Sequence, residues 1–330
     1  MSNKTLSSKE KAETAKKNLL RESSNSAEKN TNVKGFEFND KFDMKKFLKS
    51  YETTGAQATN LGKAIEIIKK MRKERAFVYL GYTSNMVTTG IREIIRYLVE
   101  HKLVDYLVTT AGGIEEDFIK CIKPFKLGSF EDNGAKLREN SINRAGNVLI
   151  PNSRYVEFEK FILPILKENK SKIKTPSDLI KLLGQKINNK ESIYYWAQKN
   201  KIPVFCPAIL DGSLGDMIYF FKNSNTDFTL DITKDTEDLN NSTLGKAKTG
   251  IIVLGGGTVK HAICNANMYR NGADFAVYIN TAQEFDGSDS GARPDEAVSW
   301  GKISKTAETI KVHGDATIIF PLVVLGAFID

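Results

Sequence analysis

The sequence predicts an α/β protein with a doubly wound, mostly parallel sheet and a helical insertion. Two observations predict this class. Short apolar runs of the kind that form buried strands alternate along the chain with longer amphipathic stretches. Several of these runs end in glycine or hydroxyl residues, as strands do where they turn into helices at the ligand-binding edge of such a sheet. A composition that is 41% hydrophobic and 27% charged fits an ordinary globular domain.

The first 34 residues form a polar leader, with eight lysines and arginines against four glutamates and few large apolar side chains. Ser7 and Glu10 have the spacing of a helix capping box, and apolar residues follow them at helical spacing. We therefore expect residues 1–34 to be a flexible leader that contains at most a short helix. Residues 35–330 are expected to form a single domain.

Beyond residue 41, strands and helices are predicted in alternation. The helices are predicted from amphipathic periodicity at 91–101, 213–222 and 257–272. The region 134–200 has few strand-like runs, and within it residues 158–168 and 175–187 are typical of helices, so this region is expected to be the insertion. The predicted buried strands are 76–81, 105–110, 202–208, 227–232, 250–256 and 274–280.

Cysteine usage and apolar runs exclude several classes of protein. The three cysteines lie far apart without a C-x-x-C pair, which excludes a disulfide framework and a cysteine zinc site and fits a cytoplasmic protein. No histidine and cysteine cluster indicates a metal. The N-terminus has no apolar signal region, and the longest apolar run, 318–328, contains proline and is shorter than the ~20 residues that span a bilayer.

The net charge of +8 suggests nucleic-acid binding, but its distribution argues against it. Half of the excess lies in residues 1–34, and the remaining 40 basic residues nearly balance 36 acidic ones. A basic tail of this kind is usually solvated. We therefore predict no nucleic-acid partner.

Three predicted strands end in small residues, at 81–85, 110–113 and 255–257. Small residues allow backbone amides to approach a phosphate at a helix N-terminus. Neither G-x-G-x-x-G nor GxxxxGK[ST] is present, however, and tight turns need glycine for their own geometry. The motifs alone leave both interpretations open.

The segment 280–302 combines five carboxylates with glycines, Trp300 and Lys302. Carboxylates favour a cationic or metal ligand, an indole face attracts a cation, and a lysine amine forms imines with carbonyls. A solvated acidic turn has the same composition. Calcium is a further alternative, but the twelve-residue pattern of a calcium loop is absent, because glycine follows Asp286 immediately.

The same segment resembles the signature of the deoxyhypusine synthase family. Five more blocks resemble that family in the same order, at 81–93, 109–117, 137–152, 191–217 and 250–283. The resemblance implies a Rossmann-like NAD-binding fold and a homotetramer, a dimer of dimers with shared active sites. It also implies that an N-terminal helix can plug a neighbouring subunit's active-site entrance.

Matched residue by residue, the resemblance implies a cofactor site and a polyamine site. Lys302 corresponds to the lysine that carries the covalent intermediate, and His261 to the general base. The implied NAD contacts are Ser84, Asn85, Met86, Val87, Thr88, Thr110, Ala111, Gly112, Glu116, Asp211, Gly256, Thr281, Ala282, Asp315 and Ala316. The implied spermidine contacts are Glu115, Glu116, Asp216, His261, Gly287, Ser288, Asp289, Glu296 and Trp300.

The activity that this resemblance implies is NAD-dependent transfer of the aminobutyl group of spermidine to a lysine of the translation initiation factor 5A precursor, with release of 1,3-diaminopropane. Two alternatives stay open. A homospermidine synthase shares the fold, cofactor and lysine but transfers the group to putrescine. A catalytically weak paralogue would act only as the regulator of an active subunit.

Overall fold

The computed structural model describes residues 7–22, 27–39 and 41–329. The strands are β1 (Phe77–Tyr82), β2 (Tyr106–Thr109), β3 (Lys126–Leu127), β4 (Ile142–Ala145), β5 (Val148–Pro151), β6 (Val204–Phe205), β7 (Thr249–Leu254), β8 (Ala273–Asn280) and β9 (Ile303–His313). The α-helices are α1 (Ser8–Leu19), α2 (Met44–Thr54), α3 (Ala56–Lys73), α4 (Asn85–Thr88), α5 (Ile91–Glu100), α6 (Ala111–Ile122), α7 (Gly134–Glu139), α8 (Ser153–Asn169), α9 (Pro176–Ile187), α10 (Ile193–Asn200), α11 (Ser213–Asn223), α12 (Ile232–Ser242), α13 (Gly257–Met268), α14 (Pro294–Ser299) and α15 (Ala316–Ala327).

Six strands form one parallel sheet in the order β6-β2-β1-β7-β8-β9. Counted along the chain, this is the order 3-2-1-4-5-6 of a doubly wound dinucleotide-binding fold. The order reverses between β1 and β7, which pair from Phe77 with Thr249 to Tyr82 with Leu254. The predicted fold class is confirmed, and the crevice at which such folds bind ligands lies above these two strands.

Both faces of the sheet are covered, which explains the unbroken apolar runs of its central strands. Every residue of β7 is buried. Along β1, Leu80 and Tyr82 enter one core with α3, α5, α6 and α15, whereas Tyr79 enters the other core with α13. Successive side chains of a strand point to opposite faces, so a central strand that is covered on both faces needs apolar residues at even and odd positions alike.

The predicted helical insertion contains a small second sheet. After α7, strands β4 and β5 form a hairpin whose two-residue turn begins at Gly146 with φ of +61°. Strand β3 pairs with β5, and helices α8, α9 and α10 follow. The sequence did not indicate this hairpin because β4 is mostly exposed and has no apolar run.

The prediction of a strand at 227–232 is wrong. Residues 227–231 have no regular structure, and Asp231 caps α12 by accepting hydrogen bonds from the amides of Thr233 and Lys234. Phe228 is buried against Phe221 of α11, with ring centroids 5.2 Å apart. The apolar residue that suggested a strand therefore packs a loop against this helix.

The sixth strand of the main sheet is instead β9, which the sequence did not predict. It pairs only with β8, at the edge of the sheet, and most of its side chains are partly or fully exposed. An edge strand with one solvated face carries polar residues and lacks the apolar run that identifies a central strand.

The predicted helix starts are confirmed in α1 and α9. In α1, the Ser7 hydroxyl accepts from the amide of Glu10, and the Glu10 carboxylate accepts from the amide of Ser7 at 2.8 Å. None of the α1 residues is buried. The rest of the predicted leader includes residues 1–6 and 23–26, which lie outside the described residues. The single domain predicted for residues 35–330 stays a prediction.

The apolar run 318–328 lies mostly in α15, whose Phe320 and Val323 are fully buried. Across the described ranges, no helix combines the length and apolar character needed to cross a membrane.

Candidate active site

The loops that follow β1 and β7 contact each other at the point where the strand order reverses. The amide of Thr83 donates to the carbonyl of Leu254 at 3.2 Å. A Cβ atom on Gly255 would lie 2.5 Å from the Thr83 hydroxyl oxygen, and Gly255 has a φ of +90°. Glycine is required here by the contact between the two loops as well as by its backbone conformation.

The loop after β1 also meets the first turn of α6, which follows β2. A Cβ atom on Gly112 would lie 2.7 Å from the Cβ of Ser84. The hydroxyl oxygen of Thr110 is buried and has no hydrogen-bond partner among the described residues. Two parts of the predicted cofactor set, residues 84–88 and 110–112, are therefore adjacent. Within the first part, Met86 and Val87 are buried in the core, whereas Asn85 is exposed.

Glu116 lies in the same corner. The Thr88 hydroxyl donates to its carboxylate. Burial raises the pKa of Glu116 to about 7, although the hydrogen bond from Thr88 acts in the opposite direction. A carboxyl group with this pKa exchanges its proton near neutral pH.

Glu115 holds the start of α11. Its carboxylate accepts hydrogen bonds from the amides of Ser213 at 3.0 Å and Leu214 at 2.6 Å. Burial raises its pKa, and these backbone bonds oppose the effect. Glu115 thus fixes the helix that carries Asp216 in its first turn, where the Asp216 side chain is exposed.

The remaining predicted cofactor residues also lie at the carboxyl edge of the sheet. Gly256 follows β7, Thr281 and Ala282 follow β8, and Asp211 lies between β6 and α11. Asp315 caps α15 by accepting from the amide of Thr317 at 2.8 Å, and Ala316 begins that helix. The predicted cofactor residues thus follow six different strands and all lie on the carboxyl side of the sheet.

The acidic loop, defined here as residues 281–292, folds tightly over the start of α13. A Cβ atom on Gly256 would lie 2.7 Å from the Cα of Ser290, and the amide of Gly257 donates to the Ser290 hydroxyl at 2.8 Å. A Cβ atom on Gly291 would lie 1.6 Å from the carbonyl oxygen of Gln283. The loop can close on itself only with glycine at 291.

The predicted polyamine residues of this segment differ in exposure. Gly287 and Ser288 are exposed at the tip of the acidic loop. Asp289 is partly buried, and its Oδ2 atom is buried without a hydrogen-bond partner among the described residues. Glu296 and Trp300 are exposed on α14 and at its C-terminal end, and 65% of Trp300 is accessible.

The backbone of Lys302 does not lie at the carboxyl edge of the sheet, where doubly wound folds bind their ligands. Its carbonyl accepts from the amide of Ala273, which begins β8, so its backbone lies at the amino edge of the sheet. The Lys302 Nζ atom lies 5.4 Å from the centroid of the Trp300 ring. Contact with an aromatic face is compatible with a cation-binding or amine-binding site.

His261 lies in the second turn of α13, is exposed, and has its Nδ1 atom 3.0 Å from the Asn265 amide group. Asn265 was not among the predicted site residues. Its position four residues after His261 on a helix is the signal that could have identified it.

Lys260 is a second residue that the sequence analysis missed. It is buried, and burial lowers its pKa; Asp289 and Glu296 oppose this shift, and the charge of Lys302 adds to it. The ammonium group of Lys260 bonds the acidic loop directly, since it donates to the carbonyls of Asp289 and Ala292. Its only sequence signal is its position beside His261.

The arrangement can bind a cationic ligand between carboxylates, with an amine and an imidazole on adjacent elements. Within the described ranges, no group of three or more His, Cys, Asp and Glu side chains could hold a metal ion.

The comparisons with known proteins agree with one another. The family profile for deoxyhypusine synthase matches residues 46–327. Two proteins of Senecio vernalis are similar to the chain: a deoxyhypusine synthase is 51% identical, covering 90% of this chain and 88% of the relative, and homospermidine synthase 2 is 50% identical, covering 98% and 96%. A crystal structure from Entamoeba histolytica, provisionally described as a deoxyhypusine synthase, has a TM-score of 0.67 at 34% identity and covers 90% of this chain and 96% of its own.

Proposed function

The chain belongs to the deoxyhypusine synthase family, whose members are transferases, and we propose that it transfers the aminobutyl group of spermidine to a specific lysine of the translation factor 5A precursor. Two observations carry this proposal: Lys302 lies against Trp300 at the end of α14, and the acidic loop that precedes this helix has a buried Asp289 oxygen with no partner among the described residues.

NAD is the cofactor that fits the carboxyl edge. The buried Thr110 hydroxyl lacks a partner in the described chain, and the close contact of Gly112 with Ser84 brings the loop after β1 against the first turn of α6, where helix N-terminal amides favour a phosphate. Glu116 is a carboxyl group of the kind that accepts hydrogen bonds from ribose hydroxyls. Bound there, NAD would supply the hydride acceptor that amine oxidation requires.

Spermidine would lie along the acidic loop and α14. Its ammonium groups would pair with Asp289 and Glu296, and its methylene chain would pass the Trp300 ring. A charge-assisted hydrogen bond would satisfy the Asp289 oxygen, which is otherwise costly to bury.

His261 and Lys302 would carry out proton transfer and covalent catalysis. A neutral imidazole can remove a proton from the substrate amine near pH 7. Lys302, as the free amine, would attack the carbon of the oxidised substrate, expel 1,3-diaminopropane and hold the four-carbon unit as an imine until the acceptor lysine takes it. The hydride removed from spermidine would then return to the imine on the acceptor lysine, so that the product is an aminobutyl group and the oxidation is reversed within one turnover.

The active form is proposed to be a cytoplasmic homotetramer with active sites shared between subunits. Trp300 and Phe285 are 65% and 87% exposed in the single chain, although both lie beside the proposed substrate. A second subunit would bury them and exclude water from the amine chemistry. The three cysteines are free thiols, as a reducing compartment requires.

The test is to incubate the purified chain with NAD, spermidine labelled in its aminobutyl group, and either the factor precursor or putrescine. Label on a lysine of the precursor supports the proposal. Label only on homospermidine identifies the alternative acceptor, which similar identities of 51% and 50% to the two Senecio vernalis enzymes do not exclude. If the chain by itself forms no product but stimulates the activity of another subunit, it is a regulatory paralogue.

Borohydride trapping identifies the covalent lysine in the same reaction. After incubation with spermidine and NAD, an aminobutyl mass is expected on the peptide that contains Lys302. Lys302→Arg should abolish both trapping and transfer, because a guanidinium cannot lose its proton in a protein. Label on Lys260, the buried lysine with a lowered pKa, would refute the assignment.

A further inference from the structure

We propose that Lys260 and Lys311 are positioning residues that hold the acidic loop in the shape that binds the polyamine. Neither is among the residues assigned above to substrate or cofactor. The inference deepens the proposed function and rests on it, since it takes the acidic loop as part of the polyamine site.

Lys260 reaches the loop from α13. Its ammonium group donates to the carbonyl of Asp289 and, at 2.9 Å, to the carbonyl of Ala292. The Nζ atom also lies 4.8 Å from the centroid of the Tyr278 ring, which belongs to β8. Because Lys260 is only 2% exposed, these groups take the place of water around its ammonium group.

Lys311 reaches the loop from β9, a different element. Its ammonium group donates to the carbonyl of Ala282 at 2.7 Å and to the carbonyl of Gly291 at 2.5 Å. Burial lowers the pKa of Lys311, and the charge of Lys260 adds to this effect. The two ammonium groups therefore lie close enough to influence each other and bind the loop from two elements.

The bonded carbonyls belong to both ends of the loop. Ala282 lies at its beginning, whereas Asp289, Gly291 and Ala292 form its closing turn. Because these carbonyls point inward, removal of an ammonium group would leave them buried without a donor, and the turn would open to find water. A polar loop of this shape therefore depends on two cations.

The two lysines bond main-chain oxygens and leave the Asp289 carboxylate available. Its Oδ2 atom has no hydrogen-bond partner in the part of the chain that the structure describes, although Asp289 and Lys260 are near enough to affect the Lys260 pKa. A lysine that instead paired with this carboxylate would compete with a ligand ammonium. Backbone bonding fixes the position of Asp289 without that competition.

The experiment compares Lys260→Met and Lys311→Met with Lys305→Met, a control at an exposed position of the same strand, β9. Hydrogen–deuterium exchange of the peptide covering 281–292 is measured without ligand, and spermidine affinity is measured by calorimetry at saturating NAD. We expect faster exchange confined to the acidic loop and a spermidine Kd raised roughly tenfold or more in both variants, the size of effect expected when buried hydrogen bonds are lost. The control should match the unsubstituted chain.

Glutamine variants keep the test decisive if a methionine variant does not fold. Lys260→Gln and Lys311→Gln retain an uncharged amide group as donor, so loop exchange and spermidine affinity should lie between those of the methionine variants and the unsubstituted chain. The inference is overturned if loop exchange and spermidine affinity are unchanged in both methionine variants. Where methionine prevents folding, the same result in the glutamine variants overturns it. If the unsubstituted chain itself fails to bind spermidine, the proposed function fails, whereas loop exchange still decides whether the lysines hold the loop.

Discussion

The His261 side chain can act as a base only in one tautomer. If Nε2 is to accept a proton, Nδ1 must carry hydrogen, and Asn265 must then present its amide oxygen to Nδ1 at the observed 3.0 Å. This orientation is available by rotating the Asn265 amide, which has the same shape either way. Asn265 would then hold the ring in position as well as set its tautomer.

His261→Ala should slow oxidation of spermidine by roughly 10²–10⁴-fold, the loss expected for a general base. NAD binding should change little, because His261 lies on α13 beyond the glycines that approach the cofactor. Single-turnover NADH absorbance measures the rate, and NAD titration measures the affinity. His101→Ala, at the exposed end of α5, is the control. Equal losses of rate and NAD affinity would make His261 part of the cofactor pocket.

Glu116 makes the stability of the chain depend on pH. Its folded pKa of about 7 exceeds the ordinary value of 4.5, so the folded state binds this proton more tightly than the unfolded state. The resulting stabilisation is complete below pH ~4.5 and is lost as the pH rises through ~7, with a span of about 3 kcal/mol at most.

Glu116→Gln should remove this pH dependence. Denaturant unfolding of the chain without cofactor, at pH 5 and pH 8, should show a smaller loss of stability for the variant than for the unsubstituted chain. The comparison is necessary because burial raises the pKa of Glu115 and Asp235 as well. Identical pH dependence in both proteins would mean that the Glu116 carboxyl group titrates near its ordinary pKa.

At the scale of elements, the acidic loop and α14 offer two carboxylates to one ligand. Asp289→Asn and Glu296→Gln should each raise the spermidine Kd roughly ten- to hundredfold, since a charge-assisted hydrogen bond contributes about 1.5–3 kcal/mol. Asp295→Asn is the matched control, because it removes the same charge from the exposed first turn of α14. Calorimetry with spermidine in the presence of NAD is the measurement.

These carboxylate variants also separate local binding from overall electrostatics. A general attraction of the cation to negative charge would weaken binding equally in Asp295→Asn, and the effect would disappear at high salt. Unchanged spermidine affinity in both Asp289→Asn and Glu296→Gln would remove the acidic loop from the polyamine site.

At the scale of the whole molecule, deletion of residues 1–29 should leave the fold intact. No described residue of α1 is buried, whereas the chain is held to α2 from residue 34 onward, where Lys34 and Thr53 exchange two hydrogen bonds. Phe36 then packs against Phe38, Phe42 and Phe47. The thermal midpoint should be unchanged by the deletion to 29 and lowered by a deletion through 38, which removes part of this aromatic cluster.

The same truncation tests the leader's proposed effect on access. If α1 plugs a neighbouring active site, stopped-flow NADH formation should become faster on removal of residues 1–29 without a change in the chemical step. If the leader is a solvated tail, the rate at matched salt should be the same for both chains. Loss of folding or of the oligomer would contradict both descriptions.

The sequence by itself determined the elements that leave a clear pattern in their own residues. Strands β1, β2, β7 and β8 were predictable because burial on both faces demands continuous apolar residues. The capped starts of α1 and α9 were predictable because Ser7 and Thr175 bond amides three residues away. Resemblance to a family identified the residues of the candidate site.

Only the tertiary structure decided what depends on contacts between distant parts of the chain. Phe228 alternates like a strand residue but packs against an adjacent helix, and β9 pairs at an edge where polar residues are tolerated. Lys260 and Lys311 have ordinary sequence surroundings, and their importance comes from inward-pointing carbonyls of a loop more than 15 residues away along the chain. Backbone carbonyls are the same in every residue, so no side-chain pattern can reveal which of them need a cation until the fold turns them inward.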